Sequence, residues 1–344
     1  MDVQSNARKG RRCAPFFLAV AYSTLRSAAA IALFSAVPQK AVADPPRLAL
    51  PVACTLGETC YIQQYMDRRA GTGVEDFACG ALANDGHSGT DFAVPSEAAM
   101  RAGVAVLAAA DGTVLGTRDG MPDIRQDVQG APDVTGVECG NGLVLDHGDG
   151  WHTQYCHLRR GSLRVRSGDV VRQGAELGEI GMSGRATFPH VHVSLRHNGA
   201  EVDPFQPDPA APCGTRAAAL WQSDIAYFPG GPIAAGLATG VPEYDAVKAG
   251  LPEDGLTAAA PAAVLWVYIA NARAGDVLSF EIDGPAGRFG VHEVTIDRTQ
   301  PLRMQAFGRR APGGGLPDGA WTGRITQHRD GAELGRINVQ ARVP

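Results

Sequence analysis

Between residues 88 and 206 the chain runs in short alternating pieces cut by glycine, and that pattern constrains the fold class more than any other feature. Thr90–Val94, Val104–Ala109, Thr113–Thr117, Leu143–His147, Thr153–His157, Leu163–Arg166, Leu177–Ile180 and His190–Leu195 each read as a strand. Little helical periodicity separates them, so the region is expected to be all-β. Polar Asp119–Glu138 reads as a long insertion between two strands. Pro207-Asp208-Pro209-Ala210-Ala211-Pro212 is a stiff linker signal. Cys213–Tyr227 is expected to be a short helix packing back, and Gly/Pro/Ala-rich Phe228–Pro242 a second connector. Beyond it Val264–Ala270, Val277–Ile282, His292–Ile296, Leu302–Phe307, Trp321–Gln327 and Arg336–Val343 alternate again, which predicts a small β-sandwich. The expected layout is a leader over 1–43, a first domain over 44–206 with its core at 60–206, a linker over 207–240 and an accessory sandwich over 241–344.

The leader reads as an export signal. Arg8, Lys9, Arg11 and Arg12 form a basic start, Ala28–Val37 is apolar, and Ala41-Val42-Ala43 precedes Asp44 as a small-residue cleavage site. An apolar patch at Phe16–Tyr22 followed by Arg26 keeps an uncleaved anchor as the alternative. The formal charge is −5, and removal of 1–43 leaves 25 Lys+Arg against 35 Asp+Glu. That acidic balance argues against a nucleic-acid partner. No later apolar run reaches membrane-spanning length, so a periplasmic or secreted protein is expected. A single lysine, Lys248, remains after the leader and no G-K-[ST] occurs, which excludes most Schiff-base and P-loop chemistry.

Six cysteines also remain: Cys54, Cys60, Cys79, Cys139, Cys156 and Cys213. An even number in an exported chain favours disulfides, and the lack of a C-x-x-C pair argues against a cysteine-ligated zinc site. One pairing follows locally. Gly142–His147 and Trp151–His157 flank Gly148-Asp149-Gly150, a hairpin signal that brings Cys139 near Cys156. Strand alternation would then set the sulfur behind the sheet and His157 in front of it. The other four cysteines are not paired by the sequence.

Nine histidines are present, and their placement matters more than their number. His190 and His192 lie two apart in a strand, so both imidazoles face the same space. His87-Ser88-Gly89-Thr90-Asp91 is a loop running into a strand, placing a His and an Asp where they can converge on one ion. His157 closes the hairpin strand. Each element alone is weak, since a turn with a locally bonded Asp or a pair of solvated histidines accounts for it. Together they supply the borderline donor set of a catalytic zinc site with an open position. No H-E-x-x-H exists, because Ile296 falls where the second His should follow His292-Glu293.

From about Cys60 to Phe205 the sequence resembles the LytM/lysostaphin-like zinc peptidases of metallopeptidase family M23, which cut peptide bridges in bacterial peptidoglycan. Gly86-His87-Ser88-Gly89-Thr90-Asp91 fits the family's H-x-x-x-D. Tyr155-Cys156-His157-Leu158 fits its Y-x-H-L, and Gly181-Met182-Ser183-Gly184 followed by His190-Val191-His192 fits its G-x-S/T-G and H-x-H. The resemblance implies a LytM-type antiparallel sheet and one zinc ion held by His87, Asp91 and His192. It further implies that His157 and His190 are the unliganded pair that assist a zinc-bound water. Valines stand where the family's H-L-H-F has Leu and Phe, and Arg185–Pro189 lengthens the approach to His190. The implied partners are peptidoglycan stem peptides, with the D-alanyl–diaminopimelate cross-link as the expected bond and glycyl bridges as the alternative.

Two rival readings stand beside this one. Ser88 and Ser183 sit between glycines, but neither completes G-x-S-x-G, so both read as turn serines. A catalytically inactive LytM-fold protein that binds the wall or activates an amidase is the second rival; all five polar positions being filled favours the enzyme. His147, His152, His197, His292 and His328 read as structural or solvated. Trp151, Tyr155 and Phe188 are candidates to line the cleft, against the commoner core role. The C-terminal domain has neither a basic patch nor an aromatic row, so spacer and glycan binder remain equal readings.

Overall fold

The protein is described by a computed structural model over residues 44–215, 219–250 and 255–344. The expected leader, 1–43, lies outside the described residues. No helix among the described residues is long and apolar enough to cross a membrane.

Strands β1 (Tyr61–Gln64), β2 (Thr90–Ala93), β3 (Ala105–Leu107), β4 (Gly112–Arg118), β5 (Asn141–Asp146), β6 (Trp151–Leu158), β7 (Val170–Val171), β8 (Glu176–Glu179), β9 (His190–His197) and β10 (Ala200–Val202) build the first half. Eight of them form one antiparallel sheet in the order β1-β2-β9-β6-β5-β4-β7, with β10 also paired to β9; β3 and β8 pair separately. The period-2 pattern explains the burial. Phe92, Tyr155, Val191, Val193 and Leu195 alternate onto one face and enter the main core, while Asp91, His190 and His192 take the other. Leu163–Arg166, expected as a strand, is irregular; Arg164 donates one backbone bond to Leu177, too little for a ladder. The short helix α1 (Glu97–Ala102), capped by Ser96 accepting from Ala99 N–H, was not expected.

The second half is a sandwich. Strands β11 (Gly231–Ala238), β12 (Ala262–Ala272) and β15 (Gln300–Arg310) form one sheet; β13 (Val277–Gly284), β14 (Gly287–Thr295), β16 (Gly319–Arg329) and β17 (Ala332–Val343) form the other in the order β14-β13-β16-β17. Its core holds Leu265, Val267, Ile269, Phe280, Trp321 and Ile325.

The expected linker is corrected in both parts. Phe228–Pro242 is not a connector throughout, because β11 pairs with β12 along its length. Its small residues serve close packing: a Cβ at Gly236 would sit 2.7 Å from the Trp266 indole nitrogen. Cys213–Tyr227 holds no helix among its described residues, with 216–218 outside them. Instead Leu220, Trp221 and Ile225 join the first core, and the Leu48 and Gln222 N–H groups donate to Leu220 and Leu48 carbonyls. Apolar side chains at these positions bury an extended segment as effectively as a helix. The Cys79–Cys213 disulfide fastens its start; Cys54–Cys60 and the expected Cys139–Cys156 are the other two.

Candidate metal centre

The register of three neighbouring strands assembles the site. Asp91 on β2 is the direct partner of His192 on β9, and His192 is in turn the partner of Cys156 on β6. Residues opposite one another in an antiparallel ladder share a face. His192 Nδ1 lies 2.9 Å from Asp91 Oδ1, and His87 Nε2 lies 3.1 Å from both atoms. His87 arrives from the loop before β2, and its Nδ1–H donates to the Tyr65 carbonyl at 2.6 Å, which leaves Nε2 facing Asp91 and His192 as the nitrogen that would bind a metal on losing its proton. Gly89 gives His192 its room, since a Cβ there would meet the ring at 2.8 Å.

Two nitrogens and one oxygen thus converge with donor atoms within 4.8 Å of one another, and this group could hold a metal ion. The electrostatics agree. Burial would raise the Asp91 carboxyl, but the adjacent His87 and His190 and the His192 and His87 hydrogen bonds hold it well below the usual carboxylate range. Burial would lower His87, but the Asp91 carboxylate beside it pushes it up to about 8. A buried anionic oxygen flanked by two imidazoles fits zinc, whose preferred ligands are these types.

His157 and His190 stand beside the group. Their ring centres are 4.6 Å apart, and His157 is 6.1 Å from the His192 ring. His157 Nδ1 pairs with the Ser183 carbonyl at 2.8 Å and His190 Nδ1 with the Phe188 carbonyl at 2.9 Å. A carbonyl accepts only from N–H, so each neutral ring carries its proton on Nδ1 and a lone pair on Nε2. Burial, reinforced by neighbouring histidines, lowers His157 well below its ordinary value, and burial lowers His190 as well. Both rings are therefore neutral bases at neutral pH.

The structure corrects one detail of the hairpin. Because Cys156 is opposite His192, register puts it on the face of the metal group, and the Cys139–Cys156 bridge lies there too, beside Gln154. Simple alternation would send His157 to the other face. A left-handed backbone at His157 (φ 65°) breaks the alternation and returns its ring to the site. The β6–β5 register shifts at the same place, and His157 N–H donates to the Cys139 carbonyl.

All five residues singled out from the sequence meet in one place. The groups that orient them were not singled out: the Tyr65, Ser183 and Cys139 carbonyls, which carry no sequence signal because any residue supplies one. Ser183 is a turn serine as expected, donating to the Leu158 carbonyl and accepting from Asn141 N–H. Trp151 and Tyr155 belong to the main core rather than the cleft, whereas Phe188 stacks on His190 with ring centres 4.3 Å apart. His147 is structural, bonded to the Asp111 carbonyl and Thr153 Oγ1.

Residues 85–204 match the profile of Peptidase family M23. The chain carries an M23 domain. Peptidoglycan DD-endopeptidase ShyA of Vibrio cholerae is 32% identical over 117 residues, covering 34% of this chain and 22% of that protein. DD-carboxypeptidase/endopeptidase Mpg of Neisseria meningitidis is 32% identical over 120 residues, covering 34% and 22%. Cell division protein DipM of Caulobacter vibrioides is 30% identical over 109 residues, covering 31% and 15%. The chain therefore spans about a fifth of the length of these relatives. Within the M23 domain the Asp119–Glu138 insertion is bound to the site's own loops. Asp123 accepts from Met182 and Arg160 N–H groups, and Gln126 N–H donates to the Ala186 carbonyl.

Proposed function

We propose that the protein is an exported zinc-dependent endopeptidase that hydrolyses peptide cross-links of bacterial peptidoglycan. The observation that carries this is the convergence of His87 Nε2, Asp91 Oδ1 and His192 Nδ1 beside two neutral, unliganded imidazoles within an M23 domain. When bound, zinc supplies Lewis acidity that polarises a carbonyl and acidifies water. The protein's own groups do the proton work. His157 and His190 each present an Nε2 lone pair, so either ring can take a proton from attacking water. Once protonated, that ring is more acidic than an ordinary imidazolium because burial disfavours its charge, and it gives the proton to the leaving amine as the C–N bond breaks. The carbonyls of Ser183 and Phe188 keep both rings oriented throughout.

The names of the relatives support a DD-endopeptidase, and the D-alanyl–diaminopimelate cross-link is the bond we assign, with glycyl bridges as the competitor. Three disulfides and the basic leader support a periplasmic or secreted location. The test is mass spectrometry of purified sacculi digested with zinc-loaded protein. Loss of cross-linked dimers is expected, abolished in His157→Ala with metal content kept, and abolished in His192→Ala with metal lost. Unchanged dimers with the zinc-loaded wild type would identify the inactive wall-binding reading instead.

A further inference from the structure

The central strand β12 of the sheet β11-β12-β15 is buried on both sides. Odd positions of β12 (Ala263, Leu265, Val267, Ile269) enter the sandwich core, while Ala270 turns the other way into a small separate cluster. That cluster joins Tyr61 of β1 and Ala93 of β2 to Ala270, and Phe188, Phe228, Ile233 and Leu302 pack against it. Leu302 on β15 is the direct partner of Ala270, so both project to the same side. Phe188 is the residue whose ring stacks on His190 and whose carbonyl accepts from His190 Nδ1–H. Ala93, in the same cluster, is the ladder partner of His190. The sandwich thus reaches the catalytic candidate through one aromatic ring.

The joint is held on two further lines. Gln63 and Asn271 exchange hydrogen bonds, Nε2–H to Oδ1 and Nδ2–H to the Gln63 carbonyl, each at 3.1 Å, and Gln63 also donates to the Pro301 carbonyl. At the other rim Arg125 and Asp127 of the insertion pair with Asp245 and Lys248 of helix α2 (Tyr244–Ala249), at 3.0 and 2.6 Å. The one lysine left after the leader is spent on this contact.

We infer that the C-terminal sandwich is a positioning element for His190, pressing Phe188 against the imidazole, rather than a spacer or a wall-binding module. Phe188 and Leu302 are accordingly positioning residues. The inference rests on the endopeptidase reading for its kinetic consequence, and on the packing alone for its structural one. A ring displaced by about 1 Å loses one to two orders of magnitude in turnover when it handles the proton. None of His87, Asp91 and His192 belongs to the packed cluster.

A double-mutant cycle on the full chain tests this. Phe188→Ala should lower kcat about tenfold with KM and zinc content unchanged, and Phe188→Tyr should restore most of it. Leu302→Ala should lower kcat in the same direction by a smaller factor, and should have no further effect once Phe188 is Ala. In parallel, the His190 imidazole Nδ1–H resonance should broaden or shift in both single variants. Additive effects of the two substitutions, or a folded Leu302→Ala with wild-type kcat and an unmoved His190 signal, would overturn the inference; Leu302→Val serves if the alanine variant fails to fold. A wild type inactive on sacculi would sink the endopeptidase reading, while the resonance still decides the positioning role.

Discussion

At the scale of single residues the site depends on protons being placed by backbone carbonyls. His87, His157 and His190 each give Nδ1–H to a main-chain oxygen, of Tyr65, Ser183 and Phe188, so Nε2 is the nitrogen each ring has left for chemistry, and that of His87 already meets Asp91 Oδ1 at 3.1 Å. One buried carboxyl away from the site behaves differently from Asp91. Burial raises Asp203 to about 6, although Phe205 N–H and Arg68 stand beside it. A raised carboxyl contributes its full share to stability below the unfolded value and loses it as pH rises through the folded one. Asp203→Asn should therefore gain on the wild type in urea unfolding as pH goes from 4 to 7, by at most about 3 kcal/mol. Arg68 keeps the Gln206 and Asp208 carbonyls in either case. A wild type that gains relative to the variant over the same range would show the shift to have the other sign.

At the scale of elements the β5–β6 hairpin carries the argument. Its ladder delivers Cys156 opposite His192, and the left-handed turn at His157 then carries the next side chain to the same face. The Cys139–Cys156 bridge and the bond from His157 N–H to the Cys139 carbonyl fasten that turn from two sides. Closing a loop of this length contributes on the order of 3 kcal/mol in the chain-entropy model. Cys139→Ser should lower unfolding stability by about that amount and reduce turnover on sacculi more than it reduces zinc content. Peptide mapping without reductant should recover the 139–156 cross-link; equal loss of zinc and turnover would mean the bridge supports the fold and not the turn.

At the scale of the molecule two cores meet, and the sandwich that carries the second is itself braced by an ion pair. Arg329 of β16 donates to both Asp276 oxygens, to Pro229 in the approach to β11 and to Asn271 at the end of β12. Burial would raise the Asp276 carboxyl, but Arg329, the Arg273 N–H and Gln327 hold it below its usual value. Removing one partner of such a pair strands the other charge. Arg329→Met should cost about 3 kcal/mol near neutral pH. Since a depressed carboxyl gives stability that is lost as pH falls, the cost should shrink toward pH 3; a cost independent of pH would point to packing alone.

The all-β class, the sandwich, the hairpin bridge and the five polar residues were legible because period-2 alternation and a few ordered motifs are local properties of the chain. The expected linker failed for the same reason read backwards: Gly236 and its small neighbours look flexible until Trp266 is packed on them, and Leu220, Trp221 and Ile225 look helical until a distant core receives them. Alternation likewise put Cys156 behind the site, because a single left-handed residue leaves no trace in a pattern of apolar and polar letters. Residue types and their spacing decided which donors exist. Only the tertiary structure decided which carbonyls hold their protons, and that Phe188 lies between the sandwich and His190, because both depend on segments far apart in sequence sharing one surface.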